Sequence, residues 1–431
     1  MKPSEMRRRL RSMPGVWCGV VTVLLLFGAN VPATDQERCT GNSVTPSPAG
    51  SYRILDEDSR IEIPFEIFRG DIRFQCTVNG HKTHMLLDDG FMWDELLFWG
   101  SPEVDSLHLE YYGEMEVGGG DDDSEKLISK MASGITVAFP GIEFTDQVAV
   151  VTPKSSGNAG MWWGSIGQIS GGFLKNFAVD IDFDRMIITL RELDDFEYSG
   201  DGVAVPWEPM GFGPHSIPAT LHLDDGREIS MELLMDLGYN DPLRITVPGQ
   251  KNVTLPGKKL PASLGFNIQG VETRGFVGRV PVVDIGGYAV KDVLVDFAPR
   301  DPEGGGIQEE AMIGLELLSR FNLVYDYKNK QLFVEPNKTF DEPFEYGMSG
   351  MVLAPSAGGH PVISQVYEDS PAEEAGLATG DKVLELNGRA SSEYDLSELG
   401  SIFRQEGASV DLTVEHQGRR REVTIVLRRL I

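Results

Sequence analysis

From Ile61 to about Glu192 the chain alternates apolar and polar residues in short runs broken by turns. A period of two puts one face of a strand on a core, so residues 73–78, 134–139, 147–151 and 185–190 read as strands. Residues 200–336 repeat the pattern at 217–223, 280–285, 292–297 and 330–334. Only 315–320 and the corresponding stretch before Phe177 have a helical look. From Glu345 the character changes: segments 349–353 and 362–366 are followed by 370–377 and 380–388, then a helix over 395–404 and two closing strands at 409–415 and 422–427. The expectation is a mainly β chain with two sequential β lobes, 61–195 and 200–340, and a smaller module over 347–431.

The two lobes share words. Met85-Leu86-Leu87-Asp88-Asp89-Gly90 in the first answers Leu233-Leu234-Met235-Asp236-Leu237-Gly238 in the second. Each follows a strand that opens with a turn, Asn79-Gly80 or Asp225-Gly226. Downstream come Ile166-Gly167 and Ile313-Gly314, then Phe173-Leu174 and Leu317-Leu318, then alternating strands from Phe177 and Phe321. Asp88 and Asp236 are 148 residues apart, Gly167 and Gly314 147, so the copies run nearly in register. Such a duplication brings two carboxylates together across a pseudo-two-fold axis.

The N-terminus differs from the rest. Lys2, Arg7, Arg8, Arg9 and Arg11 precede an apolar run from Val16 to Ala29 that ends at Val31-Pro32-Ala33. Basic head, short apolar body and small residue make residues 1–33 a secretory signal, followed by a linker over 34–60 rich in Ser, Thr, Pro and Gly at its start. The run falls short of the roughly 20 apolar residues of a membrane span, so no stable span is expected after cleavage and the location is periplasmic or secreted. Cleavage after Ala33 would remove five basic residues and one acidic, leaving the chain four charges more negative than its −28. That balance repels nucleic acid. Cys18 leaves with the signal; Cys39 and Cys76 either pair in an oxidising compartment or stay as two thiols.

Two carboxylates close enough to share a proton cannot both ionise, so one can take a proton from water while the other polarises a carbonyl. A lone Asp-x-Gly is weak, but two copies, each with three apolar residues before and Ile-Gly after, are specific. The pattern resembles the retropepsin-like aspartyl proteases, in particular bacterial two-lobed members with a C-terminal PDZ domain. The resemblance implies β-barrel lobes with Asp88 and Asp236 catalytic, Gly90 and Gly238 beside them, and Ile166-Gly167 and Ile313-Gly314 as bracing segments. The family's Thr or Ser after each catalytic Asp bonds across the lobes; here Asp89 and Leu237 stand in those places. Asp89 can accept a backbone N–H, Leu237 offers no side-chain partner, and Asp89 adds a charge that should raise the pKa of Asp88. Phe91 and Tyr239 replace small residues, and their rings are expected in the space of the substrate backbone. Residues 118–123, Gly-Gly-Gly-Asp-Asp-Asp, occupy the place of the family's flap, and Trp162 and Trp163 either line the cleft or pack inside. The alternative to an aspartic-type endopeptidase is a degenerate pseudo-protease that binds polypeptide without cutting it. No cofactor or metal is called for, because no Cys/His cluster, nucleophile elbow or phosphate loop is present.

Ser370-Pro371-Ala372-Glu373-Glu374-Ala375-Gly376-Leu377 and the run from Gly380-Asp381 to Asn387-Gly388 resemble a circularly permuted PDZ domain. Such domains add a peptide as a strand to a sheet edge and hold its terminal carboxylate on backbone N–H groups. The resemblance implies a carboxylate loop at Ser349, Gly350, Met351 and Val352, and a groove wall of Leu396, Leu399 and Phe403, which equally fit a core stripe. Expected partners are a polypeptide substrate or C-terminal protein tails, the chain's own Arg429-Leu430-Ile431 in a neighbouring copy among them.

Overall fold

The computed structural model describes residues 50–431 except 56–59, 92–94, 118–126, 154–163, 210–213, 250, 267–271, 301–309, 355, 357–358 and 395. The signal, Cys39, the acidic loop and the Trp162-Trp163 pair lie outside the described residues.

Lobe one contains β1 (Ser51–Ile54), β2 (Arg60–Pro64), β3 (Glu66–Phe68), β4 (Asp71–Val78), β5 (His81–Asp88), β6 (Leu96–Phe98), β7 (Glu110–Val117), β8 (Leu127–Phe139), β9 (Ile142–Val151), β10 (Gly167–Ser170), β11 (Phe177–Asp182) and β12 (Ile187–Glu192). Following the pairings from β4 through β5, β10, β6, β9 and β8 leads back to β4, so the sheet closes into a barrel. Closure pairs most of the edge that a flat sheet would present. The segment 51–54, expected within a linker, is instead a strand paired with Ile142–Thr145 on the barrel's rim, because β9 leaves a free edge there. Cys76 is a free thiol buried in the lobe, which pushes its pKa up to about 12.

Lobe two repeats the plan with β13 (Val203–Pro206), β14 (Glu208–Pro209), β15 (His215–His222), β16 (Glu228–Asp236), β17 (Leu243–Val247), β18 (Lys259–Phe266), β19 (Glu272–Ile285), β20 (Tyr288–Pro299), β21 (Ala311–Gly314), β22 (Phe321–Asp326) and β23 (Gln331–Pro336). Its circuit runs β15, β16, β21, β17, β20, β19 and back to β15, station for station as in lobe one.

A separate sheet joins the lobes in the order β13-β23-β22-β11-β12-β2, three strands from each. At its centre β11 and β22 run antiparallel, with Ala178 opposite Asp326 and Ile181 opposite Leu323, and the pseudo-two-fold axis passes between them. One continuous apolar core spans both lobes. The three residues before each aspartate are all buried, because β5 and β16 are covered on both faces where barrel meets joining sheet.

The C-terminal module has its own core and a sheet ordered β24-β25-β26-β28-β29, from β24 (Met351–Ala354), β25 (Val362–Val366), β26 (Lys382–Leu386), β28 (Ser409–His416) and β29 (Arg419–Val426), with β27 (Arg389–Ala390) beside β26. Arg279 ties the connecting segment to lobe two by donating to the Phe344 carbonyl at 2.9 Å. Among the described residues, no helix is long and apolar enough to cross a membrane.

Candidate active site and peptide-binding edge

Asp88 ends β5 and Asp236 ends β16, and their carboxyl groups meet across the seam between the lobes, close enough that the Asp236 charge raises the pKa of Asp88. Each loop's glycine lies against the opposite carboxylate. A Cβ on Gly90 would sit 2.2 Å from Asp236 Cγ, and one on Gly238 2.5 Å from Asp88 Cγ. Only glycine permits that approach at either position.

Asp89 holds the seam from below. Its Oδ1 accepts the Leu237 N–H at 2.6 Å and its Oδ2 accepts the Tyr325 hydroxyl at 3.0 Å, both donors coming from lobe two. Leu237 thus does contribute, through its backbone, while its side chain is buried in the shared core. The bond is one-sided rather than reciprocal. The loop of Asp236 is also caught from outside: with its amide nitrogen turned toward lobe one, Asn240 donates to Gly70 O at 3.1 Å and to Asp71 Oδ1 at 2.9 Å.

The bracing segments are not where the dipeptides suggest. Asp236 lies beside Gly314 in the parallel β16–β21 pair, as expected for Ile313-Gly314. In the β5–β10 pair Asp88 lies beside Ser170, so Ile169-Ser170 is the counterpart and Ile166-Gly167 sits three residues upstream. Gly167 answers to a different demand, since a Cβ there would meet the Leu97 carbonyl oxygen at 2.0 Å. Ser170 and Gly314 are 144 residues apart, the same offset that separates Phe173 from Leu317. The rings of Phe91 and Tyr239 are likewise displaced from expectation. Phe91 packs on Leu97, Trp99 and Val150 of lobe one, and the Tyr239 hydroxyl donates to Asp296 Oδ2 at 2.6 Å, so each is engaged with its own lobe.

Burial, then the neighbouring Asp236 and Asp89 charges, hold the Asp88 carboxyl well above the usual carboxylate range. Burial and Asp89 raise Asp236 to about 6. Asp89 is itself raised by burial, opposed by the Leu237 N–H and the Tyr325 hydroxyl. A pair so placed can hold one proton between two oxygens over the acid-to-neutral range. Two donors went unrecognised in the sequence: Tyr325 and Gln168, whose Nε2 lies 2.5 Å from Asp88 Oδ2.

In the C-terminal module β24 is an edge strand, paired on one side with β25. Gly350, just before it, has φ +78°, and a Cβ there would meet Ser370 Cβ at 2.1 Å. Ser349 Oγ accepts the Met351 N–H at 3.2 Å, fixing the turn into the strand where Val352 follows. Leu399 and Phe403 are buried in the module's core and so are stripe residues, not groove wall, because their face of the helix Leu396–Phe403 is turned onto the sheet. The Leu396 side chain lies outside what is described. Ile431 is seated against lobe two, its carbonyl oxygen accepting from Arg279 Nε at 3.2 Å.

Residues 362–416 match the PDZ domain family. The carboxy-terminal processing protease CtpB of Bacillus subtilis (strain 168) is 28% identical over 115 residues, 26% of this chain and 23% of that protein, so the chain spans about a quarter of that relative's length. Among solved structures, an aspartic proteinase from Irpex lacteus aligns over 66% of this chain and 99% of its own, at 14% identity and a TM-score of 0.40. The chain is a mainly β protein of two barrel lobes followed by a PDZ domain.

Proposed function

We propose that this chain is an exported aspartic-type endopeptidase in which Asp88 and Asp236 activate water, acting in the periplasm or outside the cell on polypeptide that the PDZ domain docks. One observation carries the reading: the two carboxyl groups meet at the axis of a duplicated fold, each lying against the other loop's glycine. In the reaction the ionised carboxylate takes a proton from water as its oxygen attacks the peptide carbonyl. The protonated partner hydrogen-bonds the carbonyl oxygen and stabilises the charge that develops there. Collapse of the tetrahedral intermediate breaks the C–N bond, and the leaving amine departs with a proton from the pair. The free edge of β24 receives an extended segment by strand addition. The basic head and short apolar run at residues 1–33 support export.

The test is cleavage of a mixed peptide library at acid to neutral pH, with wild type set against Asp88→Asn and Asp236→Asn. Products from wild type and none from either variant support the reading. Binding that survives in both variants, with no turnover by wild type, would establish the non-cleaving scaffold instead.

A further inference from the structure

The lobes are related by a pseudo-two-fold axis, yet they treat their aspartates differently. In the parallel β5–β10 pair Gln168 is in register with Leu86 and Ser170 with Asp88. Residues in register share a face, so Gln168 is the diagonal neighbour of Asp88, within reach of a long side chain. The equivalent station in lobe two, in register with Leu234, is Met312. Gln168 is 7% exposed and places Nε2 2.5 Å from Asp88 Oδ2. Asp236 is instead oriented by its own loop, through the Gly238 N–H on Oδ1 at 2.8 Å. One aspartate is therefore aimed by a side chain 80 residues away, the other by the backbone beside it.

We propose that Gln168 is a positioning residue that makes the two aspartates inequivalent: its amide claims Asp88 Oδ2 as an acceptor and confines the proton shared by the pair to Asp88 Oδ1 or Asp236. An amide donor favours a carboxylate or carbonyl oxygen over a hydroxyl oxygen, so protonating Oδ2 would weaken this bond. The catalytic consequence, that the proton-donating oxygen is fixed before substrate arrives, rests on the peptidase reading. The proton placement itself is a property of the free protein.

The experiment is a carboxyl-carbon NMR titration of the full chain labelled at aspartate, comparing wild type with Gln168→Met, the residue that occupies the twin station. The groups facing Asp88 are Asp236, Asp89 with its Tyr325 partner, Gln168 and Ser170. An N–H donor favours the anion, so its loss raises the titration assigned to Asp88 by about one pH unit, a tenfold change in the protonation equilibrium. Asp71 and Asp296 in the same spectrum stay in place. Gln168→Glu, which keeps the shape and sets a like charge against Asp88, raises it further and serves if the methionine variant does not fold. An unmoved Asp88 titration in a folded variant, or all carboxyls shifting together, overturns the proposal. Where turnover is measurable, the alkaline limb of kcat/KM moves with Asp88. A shifted titration in a protein that cleaves nothing leaves this inference standing and removes only the peptidase reading.

Discussion

Replacing Asp89 by alanine should loosen the seam between the lobes more than replacing either member of the aspartate pair. Asp89 is 4% exposed and accepts two donors from the opposite lobe, the Leu237 N–H at 2.6 Å and the Tyr325 hydroxyl at 3.0 Å. Alanine strands both. A buried donor left without an acceptor costs about 1–3 kcal/mol, so the pair of them costs about 2–6 kcal/mol, a large share of the roughly 5–15 kcal/mol that holds a typical protein folded. Asparagine separates shape from charge. Its oxygen can still accept from Leu237 and its nitrogen can donate to the Tyr325 oxygen, so the loss should stay within about 1.5 kcal/mol. It also removes a negative charge that raises both Asp88 and Asp236, so both should titrate lower. Urea unfolding at neutral pH reads the first effect, and a double-mutant cycle with Tyr325→Phe isolates that bond, with a coupling of about 1 kcal/mol expected. If alanine and asparagine cost the same within about 0.5 kcal/mol, the bonds across the seam are not what Asp89 supplies.

Burial is the main reason Asp71 and Asp296 are raised to about 7 and Asp236 to about 6. Between the ordinary carboxylate value and these figures the folded chain binds protons that the unfolded chain has released, so stability falls as pH rises, by about 1.4 kcal/mol per unit for each such group. Melting temperature should therefore drop from about pH 5 to about pH 7, and a rise over that interval would contradict the assignment. Gly90→Ala and Gly238→Ala each drive a Cβ into the opposite carboxyl group, and cleavage should fall by about 100-fold or more while the circular dichroism spectrum is kept. Near-normal turnover in either would mean the loops do not meet as described. Burial raises the pKa of Asp241 and of Glu316 in lobe two, and the positive charge of Arg404, just past the helix Leu396–Phe403, opposes that rise at both. Arg404→Met should raise those two groups and speed protease attack on the connecting segment 337–348; unchanged resistance would show that this cation does not help dock the PDZ domain.

The duplication was legible because it is written in local words: three apolar residues, an aspartate and a glycine, on strands whose period of two survives in both copies. What escaped was whatever depends on partners distant in the chain. Ile166-Gly167 imitates Ile313-Gly314 as a dipeptide, but register is fixed by hydrogen bonds to β5, and these put Ser170 beside Asp88. Gln168 reads as one more polar residue on a strand until β5 is laid next to it. The available signal was its position two residues before Ser170, on the same face. Tyr325 follows a run of core residues in β22, and nothing near it in sequence hints at a hydroxyl aimed at Asp89 across 236 residues. Phe91 and Tyr239 were expected in the cleft because they follow the glycines, but a cluster around Trp99 and the carboxylate of Asp296 draw them back. In the PDZ domain the stripe at Leu399 and Phe403 fitted groove and core alike, and helical spacing by itself does not say which side of a helix meets the sheet.

The joining sheet has a mechanical consequence. Since β11 and β22 are bonded edge to edge at its middle, swinging the halves apart would mean tearing a ladder out of the floor of the molecule. The two lobes are therefore held together along that ladder. A site assembled from separate subunits vanishes on dilution, but this one belongs to a single chain and stays assembled at any concentration at which the chain is folded.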